Sequence, residues 1–103
     1  MARLNWTDQS IADLISISDF ISKDSIKYAK ITIDRIRESA RKVRDYPMIG
    51  RIVPEINLTE IREMIIGNYR LIYFIVDNEQ IDILSVYHSS RSLNIQELKK
   101  RTR

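Results

Sequence analysis

The stretch Ile61 to Leu93, IREMIIGNYRLIYFIVDNEQIDILSVYHSSRSL, decides the fold of this chain. Its apolar residues alternate with polar ones at the two-residue period of a strand. Gly67-Asn68 suits a tight turn between Ile61–Ile66 and Tyr69–Val76, and Asp77 to Gln80 forms a second turn before a strand from Ile81 to His88. The result is a three-stranded antiparallel meander. In its second strand Leu71, Tyr73 and Ile75 point one way, and Arg70, Ile72, Phe74 and Val76 the other. In its third, regular alternation sets Ile81, Ile83, Ser85 and Tyr87 against Asp82, Leu84, Val86 and His88. Both faces are therefore apolar, more so than a solvated sheet face requires. A partner, a second copy or the C-terminal segment of the chain has to cover the second face, or that face is itself a binding surface.

Upstream, Ala2 to Trp6 reads as a short strand with Leu4 and Trp6 on one face. Thr7 or Asp8 can cap a helix running to about Ser22, with Ile11, Leu14, Ile15, Phe20 and Ile21 near one side. Asp24-Ser25 breaks the pattern and can cap a second helix. Its stripe is Ile26, Ala29, Ile33, Ile36, Ala40 and Val43, and its outer faces carry seven lysines and arginines between Lys27 and Arg44. The short connection makes the two helices an antiparallel hairpin. Pro47 ends the second helix near Asp45, and Tyr46 to Pro54 (YPMIGRIVP) is a loop. Asn94 to Arg101 forms a short basic helix. The expectation is one α+β domain over residues 1–103: an N-terminal strand, a helical hairpin, and a meander that completes a four-stranded sheet.

Charge is unevenly spread. Residues 1–24 are net −2, residues 25–53 net +5, residues 54–84 net −4 and residues 85–103 net +4. The basic middle and tail can attract a polyanion or an acidic partner, or can simply solvate a helix face. The acidic meander is poorly suited to gripping RNA. The absence of cysteine removes disulfides and thiolate chemistry and fits a reducing cytoplasm. No stretch approaches a membrane span, and the first residues do not read as a signal peptide.

Metal chemistry has little to work with, since the chain has one histidine and neither HExxH nor EF-hand spacing. No glycine-rich phosphate loop or nucleophile elbow is present. The remaining candidates are His88, Tyr87, Arg51, Arg62, Arg70 and Arg91. A histidine at a strand end can exchange protons near neutral pH, and nearby arginines can hold a phosphate, a set that could support metal-independent RNA cleavage. The structural alternative has His88 bonded to a loop carbonyl and Arg62 paired with Glu55 or Glu60. Arg70, among apolar neighbours, needs a carboxylate, a carbonyl cluster or a ligand.

The order of elements resembles the RelE/ParE superfamily of bacterial type II toxins. The likeness rests on IADLISISDFI, YPMIGRIVPE, the IRE before the meander, GNYRLIYFI and HSSRSL, and it spans Leu4 to Leu93. It implies a cytoplasmic toxin of the plasmid-stabilisation type, without a cofactor, whose cognate antitoxin wraps its surface and would cover the surplus apolar face. RelE-like members cut mRNA on the ribosome with basic side chains around the sheet; ParE-like members inhibit DNA gyrase by binding it. No lysine occurs between Lys42 and Lys99, and VPE, IRE, GNYR and the HxxR ending look closer to the ParE side. The resemblance thus implies gyrase as target and Arg51, Arg62, Arg70, Tyr73, His88 and Arg91 as a binding set. The alternative is a nuclease using His88 and Tyr87 with Arg62, Arg70 and Arg91.

Overall fold

A computed structural model describes residues 2–102. The elements run β1 (Arg3–Trp6), α1 (Asp8–Ser22), α2 (Ile26–Asp45), a 3-10 turn at Pro47–Ile49, β2 (Arg51–Ile52), β3 (Ile61–Ile66), β4 (Tyr69–Asp77), β5 (Gln80–His88) and α3 (Ile95–Lys100). The sheet order is β1-β5-β4-β3-β2, with β1 parallel to β5 and the remaining pairs antiparallel. The sheet has one strand more than the sequence suggested. Two residues of the expected loop, Arg51 and Ile52, pair with Glu63 and Arg62. So short a strand leaves no periodicity to read.

Local signals act where the sequence places them. Thr7 caps α1 by accepting from the Ser10 amide, and Ser25 caps α2 by accepting from the Tyr28 amide. Gly67 sits at φ 57°, a conformation that glycine adopts without strain and that closes the β3–β4 turn. In α2, Ala29, Ile36, Ala40 and Val43 are buried as the stripe requires. Ile26 is 78% exposed, because the first turn of α2 lies at the tip of the hairpin, and Thr32 joins the buried face instead.

Two apolar clusters sandwich the sheet. On the hairpin side, Leu14, Ile36, Ala40 and Val43 pack on Leu71, Tyr73, Ile81, Ile83 and Val86, with Leu4 and Trp6 at the margin. On the opposite side, Leu98 of α3 is fully buried among Val53, Ile56, Ile61, Ile72 and Leu84. The Arg101 guanidinium donates to the Leu84 carbonyl at 3.2 Å and helps hold α3 down. The second apolar face is therefore covered by the chain's own C-terminal helix and the turn after β2. The expectation that an antitoxin supplies this cover is corrected.

The alternation expected for β5 also fails midway. Ile72 pairs with Ser85 but Tyr73 pairs with Ile83, so Leu84 is an extra residue, a β-bulge. Before the bulge Ile81 and Ile83 face the hairpin; after it, Val86 does, while Leu84 and Tyr87 join the α3 side. Asp13 of α1 stabilises the irregularity. Its Oδ2 accepts from the Ser85 hydroxyl at 2.5 Å and from the Val86 amide at 2.9 Å.

The loop between α2 and β2 is anchored through Tyr73. The tyrosine hydroxyl donates to the Pro47 carbonyl at 2.6 Å and accepts from the Gly50 amide at 3.0 Å. A Cβ on Gly50 would lie 2.6 Å from that hydroxyl and 2.7 Å from the Glu63 carbonyl, so only glycine fits. Burial raises the Tyr73 pKa above its ordinary value, and the hydroxyl stays protonated as a donor. Tyr73→Phe leaves a buried carbonyl and amide without their partner. The expected loss is about 2 kcal/mol, and the melting temperature should fall by roughly 10 °C in a thermal scan.

Candidate functional site

Three separate places receive the sequence-derived candidates. The first lies on the α3 side of the sheet. Glu63 of β3, its carboxylate inaccessible to solvent, accepts from Arg51 Nε at 2.6 Å and from Arg70 Nε at 2.5 Å, one arginine on each oxygen. The remaining nitrogens of Arg70, Nη1 and Nη2, grip Glu55 in a bidentate pair at 3.0 Å each. Arg70 is 11% exposed and fully committed to these two acids. Both carboxylates push its pKa upward, Glu55 most. In return Arg70 holds the Glu55 pKa below its ordinary value. Tyr87 lies across the strand from Arg70 on the same face.

The second place is the edge of the sheet beside the Pro47 turn. Arg62 stands opposite Tyr73 on the hairpin side and donates to the carbonyls of Thr59 and Gly50 at 2.9 Å each. The expected pairing with Glu55 or Glu60 is absent: backbone oxygens satisfy this guanidinium, which fixes the loop. Tyr73, expected on a binding surface, is completely buried and serves as the loop's internal anchor.

The third place is at the tip of the helical hairpin. His88 lies across from Tyr69 on the hairpin side, with their rings edge-on and centroids 5.4 Å apart. Tyr87 and His88, adjacent in sequence, face opposite sides of the sheet, and the bulge decides which: Tyr87 takes the α3 side and His88 the hairpin side. Ser90 caps the imidazole: its amide donates to Nδ1 at 3.1 Å, with its hydroxyl 2.7 Å away. An amide can only donate, so Nδ1 is the acceptor and the neutral ring carries its proton on Nε2. Arg91 is exposed in the loop after β5 and, with His88 and Ser90, lines a cleft that reaches Ile17, Phe20 and Tyr28 of the hairpin.

This arrangement scatters the candidate nuclease set. Arg70 and Arg51 face carboxylates, Arg62 faces carbonyls, and the imidazole nitrogen that could accept a proton is already occupied. Sequence reading missed Asp13 and Glu63 as organisers. For Glu63 a signal existed, since it alternates with Ile61 and Ile65 on one face of β3; nothing local marks Asp13 for this role, since its partners at the bulge lie 72 and 73 residues away.

The fold and its pairing define the class first: a small α+β domain with a two-helix hairpin on a mixed five-stranded sheet. The sequence pattern described as the ParE toxin of the type II toxin–antitoxin system parDE matches residues 4–93, and the chain belongs to this family. A curated relative, toxin RelE2 of Caulobacter vibrioides, is 28% identical over 91 residues, which cover 88% of this chain and 99% of the relative. Among solved structures, the chromosomal ParDE system from P. aeruginosa aligns with a TM-score of 0.70 at 20% identity, covering 85% of this chain and 96% of that one. The YoeB dimer from Staphylococcus aureus aligns with a TM-score of 0.57 at 20% identity, covering 84% and 97%. Both structural likenesses are likenesses of fold. Among the described residues no helix is long and apolar enough to cross a membrane.

The acid cluster gives the fold a pH dependence of definite sign. The Glu55 pKa is lowered from 4.5 in the folded chain, so its contribution is present above that pH and is lost as pH falls through the folded value. In urea titrations the unfolding midpoint should drop as pH is lowered below 4.5, and Glu55→Gln should make that drop shallower. Arg70→Met should cost about 3 kcal/mol at neutral pH, because it leaves the buried Glu63 with only the exposed Arg51.

Proposed function

We propose that the chain is the toxin of a ParDE-type pair: it inhibits DNA gyrase by binding it, without catalysis, and a cognate antitoxin neutralises it. The observation that carries this reading is the neutralisation of Arg70 and Arg51 by Glu63 and Glu55. A nuclease site needs cations free to meet a phosphate and a base free to take the 2′-hydroxyl proton. Here the best-placed arginine is saturated, Tyr87 and His88 are parted by the sheet, and Nδ1 of His88 accepts from Ser90.

The exposed surface supports protein contact. Phe20 is 70% exposed, Tyr46 69% and Met48 60%, and Tyr28 and Ile49 are about half exposed at the hairpin tip and the α2–β2 loop. Large apolar and aromatic residues on an otherwise polar surface are characteristic of protein interfaces. In this reading Arg51, Arg62 and Arg70 shape the scaffold, while His88 and Arg91 belong to the contact surface. The family membership and the P. aeruginosa ParDE likeness support the antitoxin as partner. A gyrase inhibitor acts in the cytoplasm.

The test compares two assays on the purified protein. Gyrase supercoiling should be blocked at a modest excess of toxin and restored on adding the antitoxin encoded beside it. Translating ribosomes should yield no new mRNA ends. Intact supercoiling at high excess, together with codon-specific mRNA cuts, would replace this reading by the ribosome-dependent nuclease.

A further inference from the structure

The cleft at the hairpin tip has a chemistry that gyrase inhibition does not by itself explain. It is an open depression of about 650 Å³, in the range of a binding pocket rather than a packing defect. Ile17, Ile21 and Val86 contribute apolar lining, and Phe20, Tyr28 and Tyr69 contribute aromatic rings. Its polar groups are unbalanced. Asp13, the one acid lining it, is already bonded to Ser85 and Val86. The donors are not used up: His88 retains Nε2–H, and Arg91 is exposed and outside every ion pair found among the described residues. Burial, and then the neighbouring Tyr28, raises the Tyr69 pKa, so this phenol also remains a donor.

A rim with an unpaired arginine and no uncommitted carboxylate among the described residues, over an apolar floor, calls for an anion attached to an apolar body. The cleft is open, and Phe20 in its lining is itself 70% exposed, so the apolar lining runs out onto the molecular surface. An occupant that covers Phe20 is part of a larger surface and not an enclosed metabolite. We infer that the cleft receives a polypeptide segment from a protein partner, one that presents a large apolar side chain directly beside a carboxylate. The apolar side chain sits over Ile17, Ile21 and Val86, and the carboxylate accepts from Arg91 and His88. This goes beyond gyrase inhibition and holds whichever target the toxin has.

The experiment uses the full chain labelled with ¹⁵N. The probe is acetyl-Gly-Asp-Leu-Phe-Gly-amide, with two controls: its Asn analogue and an analogue with alanine in place of both Leu and Phe. The amides of Tyr69, Val86, His88 and Arg91 should shift on titration. The Asn analogue and the Arg91→Gln variant should each bind about tenfold more weakly, the loss of one charge-assisted contact, and the double-alanine analogue should not saturate. Ser16→Trp, which fills the mouth from an exposed position of α1, should abolish the shifts with the circular dichroism spectrum unchanged. Three results would overturn the inference: shifts confined to other residues, equal binding of the acidic and Asn peptides, or concentration-dependent shifts of the same amides without peptide, which would give the cleft to a second copy. Failure of the gyrase assay leaves these outcomes untouched, so the two readings fail separately.

Discussion

Leu84 is one residue too many for the ladder between β4 and β5, and much of the molecule follows from how that surplus is absorbed. A strand has a period of two, so one inserted residue sends every later side chain to the other face. Here the inversion gives Val86 to the hairpin core and Tyr87 to the core under α3, the side Leu84 already holds. The backbone irregularity would leave polar groups without partners, and one carboxylate from α1 meets that need. Asp13 binds both the Ser85 hydroxyl and the Val86 amide, while the Thr7 hydroxyl donates to the Ile83 carbonyl at 2.7 Å and Arg101 donates to the Leu84 carbonyl. The bulge thus ties α1 and the junction that precedes it to α3, near the other end of the chain.

The same inversion determines what chemistry the sheet can do. Regular alternation would keep Tyr87 and His88 on opposite faces too, but with the faces exchanged: the histidine would lie on the α3 side, the face of Arg70 and the Glu63 carboxylate. Displaced by one residue, His88 joins the hairpin tip instead and Tyr87 takes the place beside Arg70. The cationic groups left on the α3 side then face carboxylates. A buried ion pair is a costly element, tolerated where its hydrogen bonds are complete. Glu63 meets that condition with an arginine Nε on each oxygen, and Arg70 extends the network through a bidentate pair with Glu55. The acidic balance of residues 54–84 is therefore partly internal. Two of those acids neutralise arginines rather than repelling a partner from the surface.

What the sequence disclosed divides along the range of the interactions involved. Helix caps at Thr7 and Ser25, the Gly67 turn, the stop at Pro47 and the three long strands all depend on neighbours a few residues apart, and each could be read directly. Arg70 could be recognised as needing a carboxylate because it stood among apolar neighbours, although which acids answered it could not. The bulge, the two-residue strand at Arg51–Ile52 and the docking of Leu98 depend on partners beyond the reach of a local pattern, in another strand or across the sheet. Tyr73 illustrates the difference. Its alternation grouped it correctly with Leu71 on one face, but only the close approach of Gly50 and Pro47 shows that its hydroxyl is an internal anchor and not a contact for a partner.

The surplus apolar surface that first distinguished the sequence also changes position. It was expected on the sheet, where α3 in fact covers it, and it reappears on the helical hairpin and the loop after α2 as Phe20, Ile26, Tyr46 and Met48. A sheet face would present a concave platform of the kind that can hold an extended nucleic acid. The helical hairpin instead presents isolated anchors, Phe20 and Ile26 at its tip and Tyr46 and Met48 past the far end of α2. Anchors of that kind suit insertion into, or clasping by, another protein, in which a few aromatic side chains and an arginine supply most of the binding energy. Among the described residues the one acid lining the cleft beside Phe20 is turned inward to hold the bulge, so Arg91 and His88 set the polarity of its mouth. The device that settles the register of β5 therefore also leaves this surface selective for an acidic partner.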